Sequence, residues 1–226
     1  MARPACVLMP PWITALAWIS LAVCGACAVI IVTDIAAGHR QRMWIMNVVW
    51  PVTALYAGPL ALWMYRAWAR HGGGSADRRP FWQTVSIATT HCGAGCSLGD
   101  LIAEWGLLLV PFTLFGRPIF AAWLADFVLA FGLGIAFQYF TIVPMRHLAT
   151  GAGIRAAIRA DAFSLTAWQV GMYGWMALVT FVVVGRELPA TSPVFWWMMQ
   201  VGMVAGFLTS FPVNWWLVRS GRKEAM

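Results

Sequence analysis

The sequence predicts an all-α membrane protein, a single-domain bundle of six transmembrane helices over residues 1–226. Hydrophobic residues make up 61% of the 226 residues and charged residues only 10%, whereas soluble domains carry about 25% charged residues. The mean hydropathy is +0.73. The chain also holds 15 Trp, a residue that favours the bilayer interface. A chain with so few charges cannot cover a water-facing surface, but it can cover a lipid-facing one.

Six apolar runs are each long enough to cross a bilayer, which takes about 20 helical residues. The first is longer than the apolar core of a signal peptide, so we expect it to remain as a span. Prolines stand at or just outside the ends of several runs, where helices begin or stop. The segment from Pro144 to Asp161 is expected to hold a short helix carrying Arg155 and Arg159. The spans are predicted at 12–33, 43–65, 82–110, 119–143, 162–184 and 194–218.

The basic residues predict an orientation, because Lys and Arg concentrate in cytoplasmic loops. With the amino terminus inside, 11 of the 15 fall in cytoplasmic segments, and only Arg40, Arg42, Arg117 and Arg186 fall outside. This predicts a multi-pass protein of a bacterial inner membrane with both termini in the cytoplasm. The net charge of +7 then reflects topology, and we expect no nucleic acid partner. The expected partner is the lipid bilayer, with a homo-oligomer or a membrane complex left open.

The third span is unusually polar for a transmembrane helix. Residues spaced by four lie on one face of a helix, and ionisable groups inside spans are costly and usually functional. Glycines beside them leave room for a neighbouring helix to approach closely. The polar stripe consists of Cys92, Cys96, Asp100 and Glu104, with His91 beside it and Gly93, Gly95 and Gly99 on the adjoining face.

Secondary candidates lie on other spans. Asp34 and Asp126 are expected near the outer side, where they would join Glu104 in an acidic mouth. Soft thioethers recur one helical turn apart, although methionine pairs more often serve ordinary packing. A Cys-x-x-C pair in the first span is, on its spacing alone, more often small apolar filling. These further candidates are Met172, Met176, Met199, Met203, Cys24 and Cys27.

The chemistry of the stripe favours a soft metal cation. Thiolates and imidazole suit copper or zinc, and carboxylates suit harder or hydrated cations. We therefore expect a protein that handles or transports a metal ion, copper first and zinc second. Two alternatives remain: a thiol–disulfide redox protein that exchanges electrons between the two cysteine pairs, and a structural or assembly subunit of a membrane complex. No other enzymatic motif is present, so the redox protein is the one enzymatic interpretation kept.

Two stretches of the chain resemble a bacterial family of integral membrane proteins described as a domain of unknown function. The likeness runs from about the third span to the end of the chain. It implies a membrane fold with its site on the third span, without implying an activity. It rests on His91-Cys92-Gly93-Ala94-Gly95-Cys96-Ser97-Leu98-Gly99-Asp100, on Arg159-Ala160-Asp161, Gly171-Met172, Trp175-Met176 and Phe195–Gln200, and on Phe211–Leu217 with Gly221–Met226.

Overall fold

The structure, a computed structural model, describes residues 10–70 and 79–223, and the regular elements in these two stretches are helices. Two of the six, α2 and α5, continue into a π-helical segment. The bounds are α1 Pro11–Ala36, α2 Met46–Met64 with Tyr65–Ala69, α3 Phe81–Leu109, α4 Pro118–Arg146, α5 Thr150–Ala177 with Leu178–Val183, and α6 Pro193–Arg219. All six are long and apolar enough to cross a membrane, which confirms the predicted all-α six-helix fold.

Proline sets the starts of three helices. Pro11, Pro118 and Pro193 occupy the first turns of α1, α4 and α6. This position suits proline because the first N–H groups of a helix have no partner within it, and because the ring fixes φ near the helical value. Each of these starts lies within one residue of its predicted position.

The start of α5 differs from the prediction. The helix begins at Thr150 and not at Ala162, so the expected short helix and the fifth span are one continuous element. Arg155 and Arg159 lie exposed on its early turns. Hydropathy detects only the part of a helix that lies in lipid, whereas a helix with a polar, exposed first part can continue beyond it.

The helix α2 reverses direction at Gly58. The backbone there is non-helical, with φ +47° and ψ −123°, a conformation that glycine adopts readily and other residues do not. The rings of Trp50 and Tyr65 lie 6.0 Å apart, although a straight helix would separate these two positions by about 22 Å. The helix α2 and its π-helical continuation therefore form a helical hairpin.

The tip of the hairpin lies inside the bundle, beside the middle of α1. A Cβ placed on Gly58 would lie 2.9 Å from the Cys24 sulfur. The side-chain amide of Gln200 donates a hydrogen bond of 2.7 Å to the Leu55 carbonyl, and the Ser20 hydroxyl donates one of 2.7 Å to Gln200. This carbonyl needs such a partner, because a helix end leaves its last carbonyls unpaired and lipid offers no donor.

Both arms of the hairpin end at the same end of the bundle. The Arg70 Nε lies 3.1 Å from both carboxylate oxygens of Asp34, near the end of α1. The rings of Trp68 and Trp82 lie 5.4 Å apart, which places the start of α3 there too. We call this the carboxyl end of the bundle, because α6 also ends there: Trp215 packs on Phe81 with ring centroids 4.7 Å apart.

The start of α1 lies at the opposite end, which we call the amino end. Trp12 lines a crevice there with Val183, at the end of α5, and Trp197, near the start of α6. The start of α1 and the end of α6 therefore lie at opposite ends of the bundle. The prediction that both termini share one side of the membrane does not fit this arrangement, because it counted α2 as a full crossing.

Small residues bring α3 close to α4, as the glycines of the third span predict, and they also bring α5 close to α6. A Cβ on Gly95 would lie 2.8 Å from the Gly134 Cα on α4. One on Gly206 would lie 2.7 Å from the Trp168 Nε1 on α5. Helices in membranes associate through such close packing, since water does not drive them together.

Replacing Gly58 by alanine is expected to destabilise the protein. A non-glycine residue at this φ and ψ costs about 1–3 kcal/mol, and the added methyl group would also contact the Cys24 sulfur. The measurement is thermal unfolding of the purified protein in detergent. Gly25→Ala is the matched control, because a Cβ there meets nothing within 4 Å. Equal unfolding temperatures for the two variants would contradict the hairpin turn.

Candidate functional site

The last described residue, Lys223, places its side chain inside the bundle at the carboxyl end. Its Nζ lies 2.8 Å from the Cys92 sulfur, 2.5 Å from Asp161 Oδ1 and 2.8 Å from Asn214 Oδ1. The Ala88 carbonyl lies 3.4 Å away. The side chains of both Lys223 and Asp161 are fully buried. One ammonium group therefore joins α3, α5 and α6.

A hydroxyl and amide network extends this cluster between α5 and α6. Ser164 Oγ lies 3.1 Å from the Cys92 sulfur and 3.0 Å from Ser210 Oγ. The Asn214 side-chain amide donates to Ser164 Oγ at 2.7 Å, which leaves its carbonyl oxygen for Lys223. The Cys92 thiol itself donates to Asp161 at 3.0 Å. Each side chain of the cluster is thus held by at least two others.

The electrostatics of the cluster keep Lys223 charged. Burial by itself lowers the pKa of the ammonium, but the Asp161 carboxylate and the Cys92 sulfur raise it, so the pKa lies above its ordinary value. A buried charge without a partner is costly, and here a single carboxylate provides the opposite charge. The second carboxylate oxygen, Asp161 Oδ2, has no hydrogen-bond partner among the described residues.

The predicted stripe on α3 lies inside the bundle, but its members meet different helices. Cys92 faces α5 and α6, as described above. His91 faces α4, where its Nε2 lies 3.5 Å from the Thr141 hydroxyl and its ring packs edge-on against Phe137 at 5.9 Å. Cys96 is fully buried. From Cys92 to Glu104 the helix rises about 18 Å, so no single ion can contact the whole stripe.

Glu104, the last carboxylate of the stripe, lines a pocket at the amino end. The pocket has a volume of about 380 Å³ and lies between α3, α4, α5 and α6. The Asp126 side chain is buried, and its Oδ1 has no hydrogen-bond partner among the described residues. Acidic and thioether side chains share the lining, namely Glu104, Asp126, Glu187, Met172, Met176 and Met199.

Asp100 lies between this pocket and the cysteines. It interacts electrostatically with Glu104 and with Asp126, and on the other side with Cys96. The Gln169 side chain lies near the Asp100 carboxylate, but among the described residues the polar atoms of both side chains have no hydrogen bond of normal geometry. Within that part of the chain, two buried polar side chains without a fixed partner therefore lie between the pocket and Cys96.

Four predicted candidates lie elsewhere. Asp34 is at the carboxyl end, where it binds Arg70 and accepts a hydrogen bond of 2.7 Å from Tyr65, so it does not share an acidic mouth with Glu104 and Asp126. The reversal of α2 explains this error. The three other candidates pack within the bundle: Cys24 against the hairpin tip, Cys27 in the core between α1 and the hairpin, and Met203 as acceptor of a 3.6 Å hydrogen bond from Ser97.

The described residues contain no group of three His, Cys, Asp or Glu side chains placed to hold a metal ion. The predicted set of His91, Cys92, Cys96, Asp100 and Glu104 is therefore not one coordination site. Side chains four residues apart follow one another along the axis, about 6 Å per step, and converge on one ion only when other helices contribute. The copper or zinc site expected here stays a prediction.

The cluster around Lys223 was not assigned from the residues alone. Asp161 stands at a predicted loop boundary, and Lys223 looks like an ordinary basic residue after a last span. Both belong to the stretches that resemble the family, but no role followed from that likeness. The available signal was the polar residues near one end of the last two helices, Ser164 on α5 and Ser210 and Asn214 on α6.

A comparison with known families matches residues 81–223 to the family described as "Domain of unknown function (DUF4396)". The match covers more than half of the chain, from the start of α3 to Lys223, and it contains both the cluster and the pocket. It omits α1 and the hairpin. Comparisons with curated proteins and with solved structures gave no match.

Replacing Asp161 by asparagine is expected to destabilise the protein, because Lys223 must then either stay buried without its opposite charge or leave the bundle and lose its contacts with Cys92 and Asn214. Breaking a buried ion pair on one side costs about 3–5 kcal/mol. The double variant Asp161→Asn/Lys223→Met, which removes both charges, should be less destabilised than Asp161→Asn alone. Thermal unfolding in detergent measures both. A double variant that unfolds at the same temperature as Asp161→Asn, or below it, would show that the two charges are not coupled.

Proposed function

This chain belongs to the DUF4396 family, and we propose that this member binds a soft metal cation as its cargo, copper(I) first and zinc(II) second, and moves it through the membrane. The pocket at the amino end is the binding site in this proposal. The observation that carries it is that three methionines and three acidic residues line this pocket together. Thioethers are soft ligands, and carboxylates supply negative charge to hold a cation.

The state of Asp126 supports a cation ligand. Its side chain is buried at the pocket, and one carboxylate oxygen has no partner among the described residues. A buried carboxylate without a partner is unfavourable unless a proton or a cation compensates its charge. Glu104 is only half-buried and lines the same pocket, so it can pair with the same cation.

The interior of the bundle supports passage beyond the pocket. Asp100, Gln169 and Cys96 follow the pocket toward the carboxyl end, and the side chains of the first two have no fixed hydrogen bond within the described part of the chain. Polar side chains inside a span usually mark the path of an ion or a proton. The order of the stripe along α3 places its carboxylates near the pocket and its thiols nearer the carboxyl end, which suits a cation that exchanges hard ligands for soft ones.

We further propose that the carboxyl end faces the cytoplasm of a bacterial inner membrane, with α1 starting on the other side. Basic residues concentrate on the cytoplasmic side of membrane proteins. Of the 13 Lys and Arg in the described residues, only Arg117 and Arg186 lie at the amino end. The 11 at the carboxyl end are Arg40, Arg42, Arg66, Arg70, Arg79, Arg146, Arg155, Arg159, Arg219, Arg222 and Lys223.

The hairpin strengthens this charge asymmetry. If α2 crossed the membrane, the loop with Arg40 and Arg42 would lie on the opposite side, and the division of the same 13 residues would be nine to four. With the reversal at Gly58 it is 11 to two. The distribution of basic residues therefore fits the fold better if α2 does not cross the membrane and the five other helices do.

Metal binding tests the pocket. The double variant Met172→Leu/Met176→Leu should lower the affinity for copper(I) roughly tenfold or more, since a tenfold loss corresponds to about 1.4 kcal/mol of lost contact. Equilibrium dialysis of the purified protein followed by elemental analysis measures it. Met203→Leu is the matched control, because Met203 is buried on α6 but does not line the pocket. Equal affinities in these two variants, or no bound metal in the unaltered protein, would sink the proposal.

Labelling of single introduced cysteines tests the orientation. In a Cys6→Ser background the four other cysteines are buried, and Ala37, Thr191 and Ser220 are exposed. An impermeant maleimide should label Thr191→Cys from outside intact cells, and Ala37→Cys and Ser220→Cys only in inverted vesicles. If Ala37→Cys were labelled from the same side as Thr191→Cys, α2 would cross the membrane after all.

A further inference from the structure

Lys223 is the single lysine of the chain, and its side chain is buried although the residues before it are exposed. Ser220, Gly221 and Arg222 all lie at the surface after the end of α6. The chain turns at Gly221, where φ is +67°, and directs the next-but-one side chain back into the bundle. The ammonium is thus a cation on a short tether, inserted into the protein from the carboxyl end.

The atoms around this ammonium have the character of a cation site. A carboxylate oxygen, a thiol sulfur and a carboxamide oxygen lie within 2.8 Å of the nitrogen, and a backbone carbonyl lies at 3.4 Å. They come from three helices and hold one another in place through Ser164 and Ser210. Asp161 also keeps one buried oxygen without a partner among the described residues.

We propose that Cys92, Asp161 and Asn214 form an inner cation site, and that Lys223 is its tethered occupant, which the cargo cation displaces on its way to the cytoplasm. This inference rests on the proposed function and adds to it a second site and a gate. The ligand class is a soft monovalent or divalent metal cation, because a thiol sulfur and a carboxylate oxygen are the two strongest donors.

The exchange balances charge. Cysteine binds metals as the thiolate, so when copper(I) replaces the ammonium the Cys92 thiol passes its proton to Asp161, to which it already donates a hydrogen bond, and the site stays neutral. Zinc(II) carries one more positive charge, so the Cys92 thiol proton leaves to water at the end of the bundle, and the thiolate and the Asp161 carboxylate together neutralise the ion. In both cases Lys223 leaves as an ammonium and enters water at the end of the bundle.

The tether is weak enough to be displaced. Apart from its side chain, Lys223 is held by the hydrogen bond of its backbone N–H to the Leu217 carbonyl at 3.2 Å, and Arg222 donates to the same carbonyl at 3.0 Å. A Cβ on Gly221 would meet nothing within 4 Å, so the positive φ, and not the space around it, is what favours glycine at that position. The tail can therefore leave without unfolding α6.

The test is the reactivity of Lys223 toward an amine-acylating reagent, followed by mass spectrometry on the full chain in detergent, with a lysine-containing peptide as reference. Because the chain has one lysine, side-chain acylation reports on this residue alone. We expect slow acylation in the metal-free protein and an increase of tenfold or more with copper(I) or zinc(II). Magnesium is the matched hard cation and should have no effect.

Two variants separate the inner site from the pocket. In Cys92→Ala, copper(I) should still bind at the pocket but should no longer accelerate acylation. In Gly221→Ala, acylation should be several-fold faster without any metal, because φ is +67° at this position and residues other than glycine are strained there. Neither change removes a charge, so both variants avoid the unpaired carboxylate that Lys223→Met would leave.

The outcomes distinguish the two proposals. Copper(I) bound at the pocket with Lys223 still protected would overturn the inner site and leave the proposed function standing. Equal acceleration in Cys92→Ala and in the unaltered protein would show that Lys223 leaves for another reason, and would also overturn the inner site. A protein that binds neither cation overturns both.

Discussion

The ion pair between Lys223 and Asp161 is the interaction on which the carboxyl end depends. In the apolar interior of a membrane bundle a single charge is costly, so each group requires the other and both require the polar side chains around them. That requirement brings the tail back into the bundle and holds α3, α5 and α6 in one arrangement through Cys92 and Asn214. It also places a cation beside Cys92, whose thiol has polar partners on α5 and in the tail after α6.

Packing imposes the second constraint, and it divides the molecule into two parts. Glycines let α3 approach α4, and α5 approach α6, which forms the four-helix unit that the family match covers. The helix α1 and the hairpin pack beside this unit, and Gln200 satisfies the backbone at the hairpin tip. Since the pocket and the Lys223 cluster both lie in the four-helix unit, the chemistry proposed here belongs to the part shared with the family.

The two polar regions differ in what they hold. The pocket combines carboxylates and thioethers and has a buried oxygen without a partner, whereas the inner cluster satisfies almost all its polar atoms with a cation of its own. In the proposed function, a cation enters at the pocket, where the carboxylates attract it. It leaves at the inner cluster, where Lys223 takes its place. Asp100 and Cys96 connect the two regions along α3.

The sequence by itself determined the all-α membrane class, the helix starts at Pro118 and Pro193, the close packing at Gly95 and the polar face of α3. These features follow from hydropathy, proline chemistry and helical periodicity, which are local properties of the chain. It did not reveal the reversal at Gly58, the placement of Asp34 or the role of Lys223. A hydropathy window cannot distinguish a hairpin from a crossing of equal length. The partner of a charge lies on another helix, 62 residues away along the chain for Lys223 and Asp161, and only the tertiary structure brings the two together.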